Sequence, residues 1–241
     1  SMAFILPIEE PWTSQPQGAV GIDWSNPLTK SIAFCHSAPK VFDEFSRKLN
    51  GVTGSGPGVV TPFGAGLGRK LSSSAAQSFG QIGNIGLDQQ ASILTVFQRT
   101  ATVGSYARLF DTRQAGSGIA IFLNSGGSGQ NAIRLVANTD ATTHDISGTC
   151  FDTSKPTILV ATLANSDEKI YDGGLQIASG SLGGFSLSHT TTNSILVGSE
   201  NATSVVSPFD GVVALTVLWT RRLALSEIAQ LSANPWQIFA P

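Results

Sequence analysis

At 241 residues, 41% hydrophobic and only 12% charged, the chain has apolar surface for a sizeable core and is excluded from the disordered class. Its 14 basic and 16 acidic side chains are scattered, so no basic stripe exists to neutralise a run of phosphates, which excludes nucleic acid as a partner. No apolar stretch approaches the roughly 20 residues that span a bilayer, and abundant glycine with frequent Ser and Thr predicts short strands joined by glycine turns.

In chain order, residues 1–30 carry Pro7, Pro11, Pro16 and Pro27 with neither helical nor strand period, and predict an extended arm pinned to the rest by Trp12 and Trp24. The opening 3–8 lacks a positively charged lead and is followed by Glu9-Glu10, so neither an export signal nor a membrane anchor is expected. From Ser31 onward short apolar runs recur between turn signals. They predict strands at 31–35, 92–99, 107–111, 118–123, 132–137, 157–163, 168–171, 194–198 and 212–220. The glycine-rich stretch 51–68 predicts a long irregular connection with little strand content. No separate core could form before it, so residues 31–241 are expected to be one domain. Asp172-Gly173 between two apolar runs predicts a tight hairpin. Residues 223–231 carry apolar positions at helical spacing, with a Ser N-cap and an acidic first turn, and predict a short helix stopped by Asn234-Pro235. The fold class expected from these elements is an all-β sandwich with one C-terminal helix.

Patterns of catalysis are missing from the sequence. Hydrolysis of a glycosidic bond needs two carboxyls facing it, which on a strand means acidic residues at two-residue spacing. Glu9-Glu10, Asp43-Glu44 and Asp167-Glu168 are instead adjacent pairs in expected surface loops. There is no Gly-x-Ser-x-Gly elbow, and His36, His144 and His189 are isolated and expected at the surface, with His144-Asp145 the one His-carboxylate neighbour pair. The glycine clusters at 54–58 and 64–70 lack the Gly-Lys-Ser/Thr ending of a phosphate cradle. Cys35 and Cys150 have no metal-type spacing and are expected as buried free thiols.

The C-terminal half resembles laminin-G-like and concanavalin A-like jelly-roll domains. The likeness rests on Ile170-Tyr171-Asp172-Gly173-Gly174, then Ser194-Ile195-Leu196-Val197-Gly198, Phe209-Asp210-Gly211 and Arg222-Leu223-Ala224-Leu225-Ser226-Glu227-Ile228. Asp23-Trp24-Ser25-Asn26-Pro27-Leu28 and Asn234-Pro235-Trp236 are similar to the opening and closing stretches of phage and prophage chains of this type. The resemblance implies an all-β fold, a two-sheet antiparallel jelly-roll sandwich, and a non-enzymatic virion module, a tail, fibre or capsid-surface component, that recognises a glycan or a neighbouring virion protein and resides in the virion or in the host cytoplasm during assembly. Self-association would fit that role. A carbohydrate-active enzyme and a purely structural assembly subunit are the alternatives on this fold.

Relatives of this type often bind calcium through rim aspartates, but residues 70–76 replace the acidic segment seen in related phage chains. No cofactor is therefore expected, and Asp111, Asp140 and Asp145 are the weak calcium candidates. Glycan sites combine an exposed aromatic ring with amide and hydroxyl donors. The polar loops expected at 124–131, 140–147 and 186–193 then give Tyr106, Asn124, Asn131, His144 and His189 as ligand-binding candidates, with Trp24 and Trp236 as further aromatic rings.

Overall fold

The computed structural model describes residues 15–16, 21–37, 59–63, 66–72, 77–81, 90–113, 118–138, 143–164, 167–180, 194–200 and 206–240. In chain order the strands are β1 (Gly21–Ile22), β2 (Ile32–Ser37), β3 (Val59–Phe63), β4 (Gly66–Leu71), β5 (Gln77–Gln81), β6 (Gln90–Arg99), β7 (Ala107–Asp111) and β8 (Gly118–Leu123). They continue with β9 (Ala132–Asn138), β10 (Thr143–Thr149), β11 (Thr157–Ala164), β12 (Asp167–Asp172), β13 (Leu175–Gly180), β14 (Ser194–Val197) and β15 (Gly211–Trp219). The helix α1 (Leu225–Ala233) and the short β16 (Phe239–Ala240) close the chain.

These strands build the expected antiparallel sandwich. One sheet runs β10-β9-β8-β7-β14-β5 and the other β13-β12-β11-β6-β15-β4-β3, with β2 also paired to β15. Phe34, Ile93, Phe97, Ile121, Leu135, Leu159, Ile195 and Leu218 fill the space between the sheets. Phe97 meets Phe209 edge to face at 5.8 Å. The larger sheet is buried on both faces: all nine residues of β15 are buried, as are seven of the eight in β11. That is why these strands read as continuous apolar runs rather than alternating ones. Leu94, Val96, Val217 and Trp219 point outward under a second apolar layer that includes Leu28, Ile228, Leu231 and Trp236.

The outer layer is tied down by a few long-range bonds. Trp219 Nε1 donates to the Leu28 carbonyl at 2.7 Å, the Asp23 amide donates to the Ile238 carbonyl at 2.9 Å, and β1 pairs with β16. Trp24 is 43% exposed, whereas Leu28 and Thr29 are buried. Trp12 lies outside the described residues. The N-cap of α1 is Ala224, not a serine. The Glu227 carboxylate substitutes for a cap side chain, accepting from the Ala224 amide at 2.8 Å while Arg221 holds it through two bonds of 2.7 Å. That same guanidinium keeps the Glu227 carboxyl below its ordinary range.

Several stretches expected as loops are strands. The described part of 51–68 forms the β3/β4 hairpin, in which Pro62 is tolerated because β3 is an edge strand. A Cβ at Gly68 would collide with the Val212 side chain, so glycine here permits close packing of β15 rather than a turn. Residues 143–149 form the edge strand β10. Asp167-Glu168, expected among surface loops, opens β12, which covers the strand expected at 168–171 and extends it by one residue at each end. The Asp172-Gly173 hairpin forms as expected, with Gly173 and Gly174 both at positive φ (55° and 86°) between Asp172 and its partner Leu175. His36 is not at the surface either: β2 continues to Ser37, and His36 is fully buried, its pKa pushed well below the ordinary imidazole value by burial and by the Arg69 charge. Cys35 and Cys150 are buried free thiols in different apolar layers, and burial pushes both upward in pKa.

Glu168 pairs with Gly180 across β12 and β13. Its chain neighbour on the same face, Ile170, belongs to the inter-sheet core, so the carboxyl points inward, 1% exposed. A Cβ at Gly180 would collide with Ile146 of β10, which shows how closely the two sheets meet at this edge. Burial, assisted by the negative charge of Asp145, pushes the Glu168 carboxyl up to about 7.

Candidate functional site

On β7, β8 and β9, Leu109, Ile121 and Leu135 turn into the core. The alternate residues face outward, because successive side chains of a strand point to opposite faces. The pairing aligns them in two cross-strand rows. One is Arg108, Phe122, Arg134 and Ser147, and the other is Asp111, Ala120, Val136 and Asp145. Phe122 is thus an apolar ring on an outward face, yet it is only 3% exposed. Three guanidiniums cover it, with Cζ atoms at 4.5 Å for Arg108, 5.8 Å for Arg134 and 5.9 Å for Arg113 from the ring centre. Tyr106 meets the ring edge-on at 5.6 Å and remains 41% exposed.

Carboxylates fix the guanidiniums in place. Asp111, 1% exposed, accepts from Arg108 Nε at 2.9 Å and from Arg113 Nη2 at 3.0 Å. Burial pushes the Asp111 carboxyl up in pKa, against the pull of Arg113 and Arg108. Arg108 also reaches Glu200 at 2.9 Å and the Tyr106 carbonyl at 3.0 Å. Arg134 Nε donates to Asp145 at 2.7 Å and its Nη1 to Ser125 Oγ at 3.1 Å. Among the described residues, Arg134 Nη2, Arg113 Nη1 and Tyr106 Oη have no hydrogen-bond acceptor. Together with Val136, Glu200 and Ser207, these side chains line an open cavity of about 300 Å³.

The backbone around the cavity is strained. Three of the four non-glycine residues at positive φ among the described residues are Tyr106 (61°), Asn124 (52°) and Ser207 (48°). The left-handed region is tolerated by Asn but uncommon for a bulky residue such as Tyr. The Tyr106 amide donates to the Asn124 carbonyl at 3.1 Å, and the Arg108 amide donates to the Ser207 carbonyl at 3.0 Å.

Among the described residues expected from sequence, Tyr106 alone lines this cavity. Asn124 is buried, with its side chain bonded to the Val103 carbonyl and the Gly129 amide. Asn131 Oδ1 holds the amide and hydroxyl of Thr153. Both asparagines fasten loops. His144 sits on β10 rather than in a loop. It pairs with Ala137 of the core face, whereas Asp145 pairs with outward Val136, so the pleat sends this His-Asp pair to opposite faces. His189 and Asp140 lie outside the described residues. Asp111 and Asp145 do share a face, but three inter-strand steps separate them, about 14 Å at ~4.8 Å per step. Calcium ligands lie about 2.3–2.6 Å from the ion, so the two cannot share one, and both carboxylates are already taken by arginines. Among the described residues no group of three His, Cys, Asp or Glu side chains could hold a metal. Trp24 lines a separate cavity of about 500 Å³ with Asn26 and Lys30, and Trp236 is buried under the larger sheet. The residues that the sequence did not disclose are Arg108, Arg113, Phe122 and Arg134. The available signal was a single arginine inside each of two strands that are otherwise apolar up to their last residue, ARLFD and AIRLVAN.

No protein-family model matches the chain, and no curated protein matches it. Solved structures do. The botulinum neurotoxin serotype D/C VPI 5993 binding domain is 16% identical, with a TM-score of 0.65 over 85% of this chain and 52% of that one. The botulinum neurotoxin DC binding domain in complex with rat synaptotagmin II is 14% identical, with the same TM-score and coverage. Domain 4 of AbnA, a GH43 extracellular arabinanase from Geobacillus stearothermophilus, in complex with arabinotriose, is 17% identical, with a TM-score of 0.56 over 76% of this chain and 87% of that one. The chain therefore spans about half the length of the toxin binding domains but most of the arabinanase domain. Likeness at this identity establishes the fold alone, an antiparallel β-sandwich shared with a toxin binding domain and with domain 4 of an arabinanase.

Proposed function

We propose that the chain is a glycan-binding module that works by recognition and not by catalysis, and that the outward face around Tyr106 and Phe122 is where the glycan docks. The observation that carries this reading is the Tyr106 ring, held half-exposed at a strained positive φ beside a cavity with unoccupied hydrogen-bond donors. Backbone strain in a bulky side chain costs on the order of 1–3 kcal/mol and persists where the surroundings impose it, commonly at ligand sites. An aromatic face flanked by directional polar groups is the chemistry that sugar rings require. The arabinanase domain, solved with arabinotriose and matched over most of its length, adds support by fold analogy.

Within this reading, residues 31–241 act as one module with residues 1–30 as its packed arm, and the module belongs to a phage tail, fibre or capsid surface. Support for the virion setting comes from the resemblance of the chain's two ends to phage chains. Binding of the purified protein to a glycan array tests the proposal. Selective signals that fall at least tenfold in Tyr106→Asn would support it; Asn removes the ring while tolerating the left-handed backbone. Signals unchanged by that substitution would move the site elsewhere, and a blank array would remove the glycan.

A further inference from the structure

We infer that the glycan taken by this face carries an anionic group, a carboxylate or a sulfate, seated between Arg134, Arg113 and Tyr106; the inference rests on the glycan-binding reading above. Three donors in the cavity are left unused, and of its acceptors Glu200 Oε2 already takes Arg108 and Ser207. Arg134 spends Nε on Asp145 and Nη1 on Ser125, and Arg113 spends Nε and Nη2 on Asp111. This leaves Arg134 Nη2, Arg113 Nη1 and the Tyr106 hydroxyl, which also donates. The acceptors nearby are committed or peripheral. Both Asp111 oxygens already accept from Arg108 and Arg113, and that carboxylate is 1% exposed.

Charge placement points the same way. Three guanidiniums stand over the Phe122 ring, and only Asp111 is buried with them. The Asp145 and Glu200 side chains are 35% and 42% exposed, against 27% and 6% for the Arg134 and Arg108 they hold, so water and salt screen these carboxylates more than the guanidiniums. The cavity floor is consequently positive although the network as a whole is balanced. A neutral hydroxyl offers weaker acceptance and brings a proton needing an acceptor of its own. A carboxylate or sulfate oxygen only accepts, and its hydrogen bonds to guanidinium are charge-assisted and about twice as strong as neutral ones.

The test uses the whole protein on an array printed with neutral glycans and their sialylated, uronate-containing and sulfated counterparts. Signals confined to the acidic members, weakening as sodium chloride is raised, are expected. In Arg134→Gln these should fall about tenfold, the loss of one charged hydrogen bond. Should that variant fail to fold, Tyr106→Phe removes only the hydroxyl and should lower the acidic signals several-fold. Sialylated against sulfated signals distinguish the two anion sources. Signals confined to neutral glycans would overturn this inference and leave glycan binding standing, whereas a blank array would overturn both. Acidic signals that survive both substitutions would place the anion away from this cavity and overturn the inference.

Discussion

On the outer face of the eight-stranded sheet, Leu94, Val96, Val217 and Trp219 lie beneath the layer that contains α1, whereas on the outer face of the six-stranded sheet Phe122 and Val136 lie beside three guanidiniums. Both faces keep apolar side chains out of water. A cover made of chain is fixed by its own backbone bonds, such as those from Trp219 to Leu28 and from Asp23 to Ile238. A cover made of arginine planes shields a ring while presenting hydrogen-bond donors at its outer edge. Chain therefore holds the first face and charge holds the second, which is the face we propose for the glycan.

The comparison breaks most easily at Trp219. Trp219→Ala should lower unfolding free energy by about 4 kcal/mol, as expected for a fully buried aromatic, in a denaturant titration; a loss below about 1 kcal/mol would mean that the outer layer is not part of the cooperative fold. On the arginine face, Asp111→Ala should cost about 3 kcal/mol, since two guanidiniums lose their buried counter-charge. If that variant is as stable as the parent, charge does not hold the face together.

Glu168 sharpens the contrast through pH. Its folded pKa is raised from 4.5 to about 7, so the folded state binds the proton more tightly than the unfolded chain does. The stability linked to it is full below pH 4.5, declines as pH rises from there to about 7, and is absent above that. Glu168→Gln should thus be neutral at pH 4 and stabilising by about 2 kcal/mol at pH 8, at 1.36 kcal/mol per pKa unit discounted for relaxation. His36, whose neutral form is favoured by burial, destabilises in the opposite direction as pH falls. The difference between parent and variant melting curves isolates Glu168. The smallest effect on stability belongs to Tyr106→Asn, under about 0.5 kcal/mol for an exposed side chain, against a tenfold or greater loss of binding. A large fall in melting temperature there would show the ring to be structural.

The strands read correctly from sequence were mostly the central ones, β6, β7, β8, β9, β11 and β15, because burial on one or both faces writes long apolar runs. The stretches expected as loops include β3 and β10, both at sheet edges. An edge strand exposes one side to water, so THDISGT in β10 carries a single large apolar residue, Ile146, and has the composition of a loop. Asn124, Asn131 and His144 were drawn from polar composition in the same way, and their roles depend on loop bonds and pleat direction.

Local propensity and the need of apolar runs to leave water dictate the class of fold: an antiparallel sandwich, a Gly-Gly hairpin after Asp172, a short helix near the end and buried cysteines. The candidate site depends on strand pairing instead. Arg108, Phe122 and Arg134 come from three strands and stand side by side because the register of β7, β8 and β9 aligns them. A slip of one residue in that pairing would turn each to the other face. Side-chain neighbours across a sheet are set by strand pairing, and no distance along the chain encodes it.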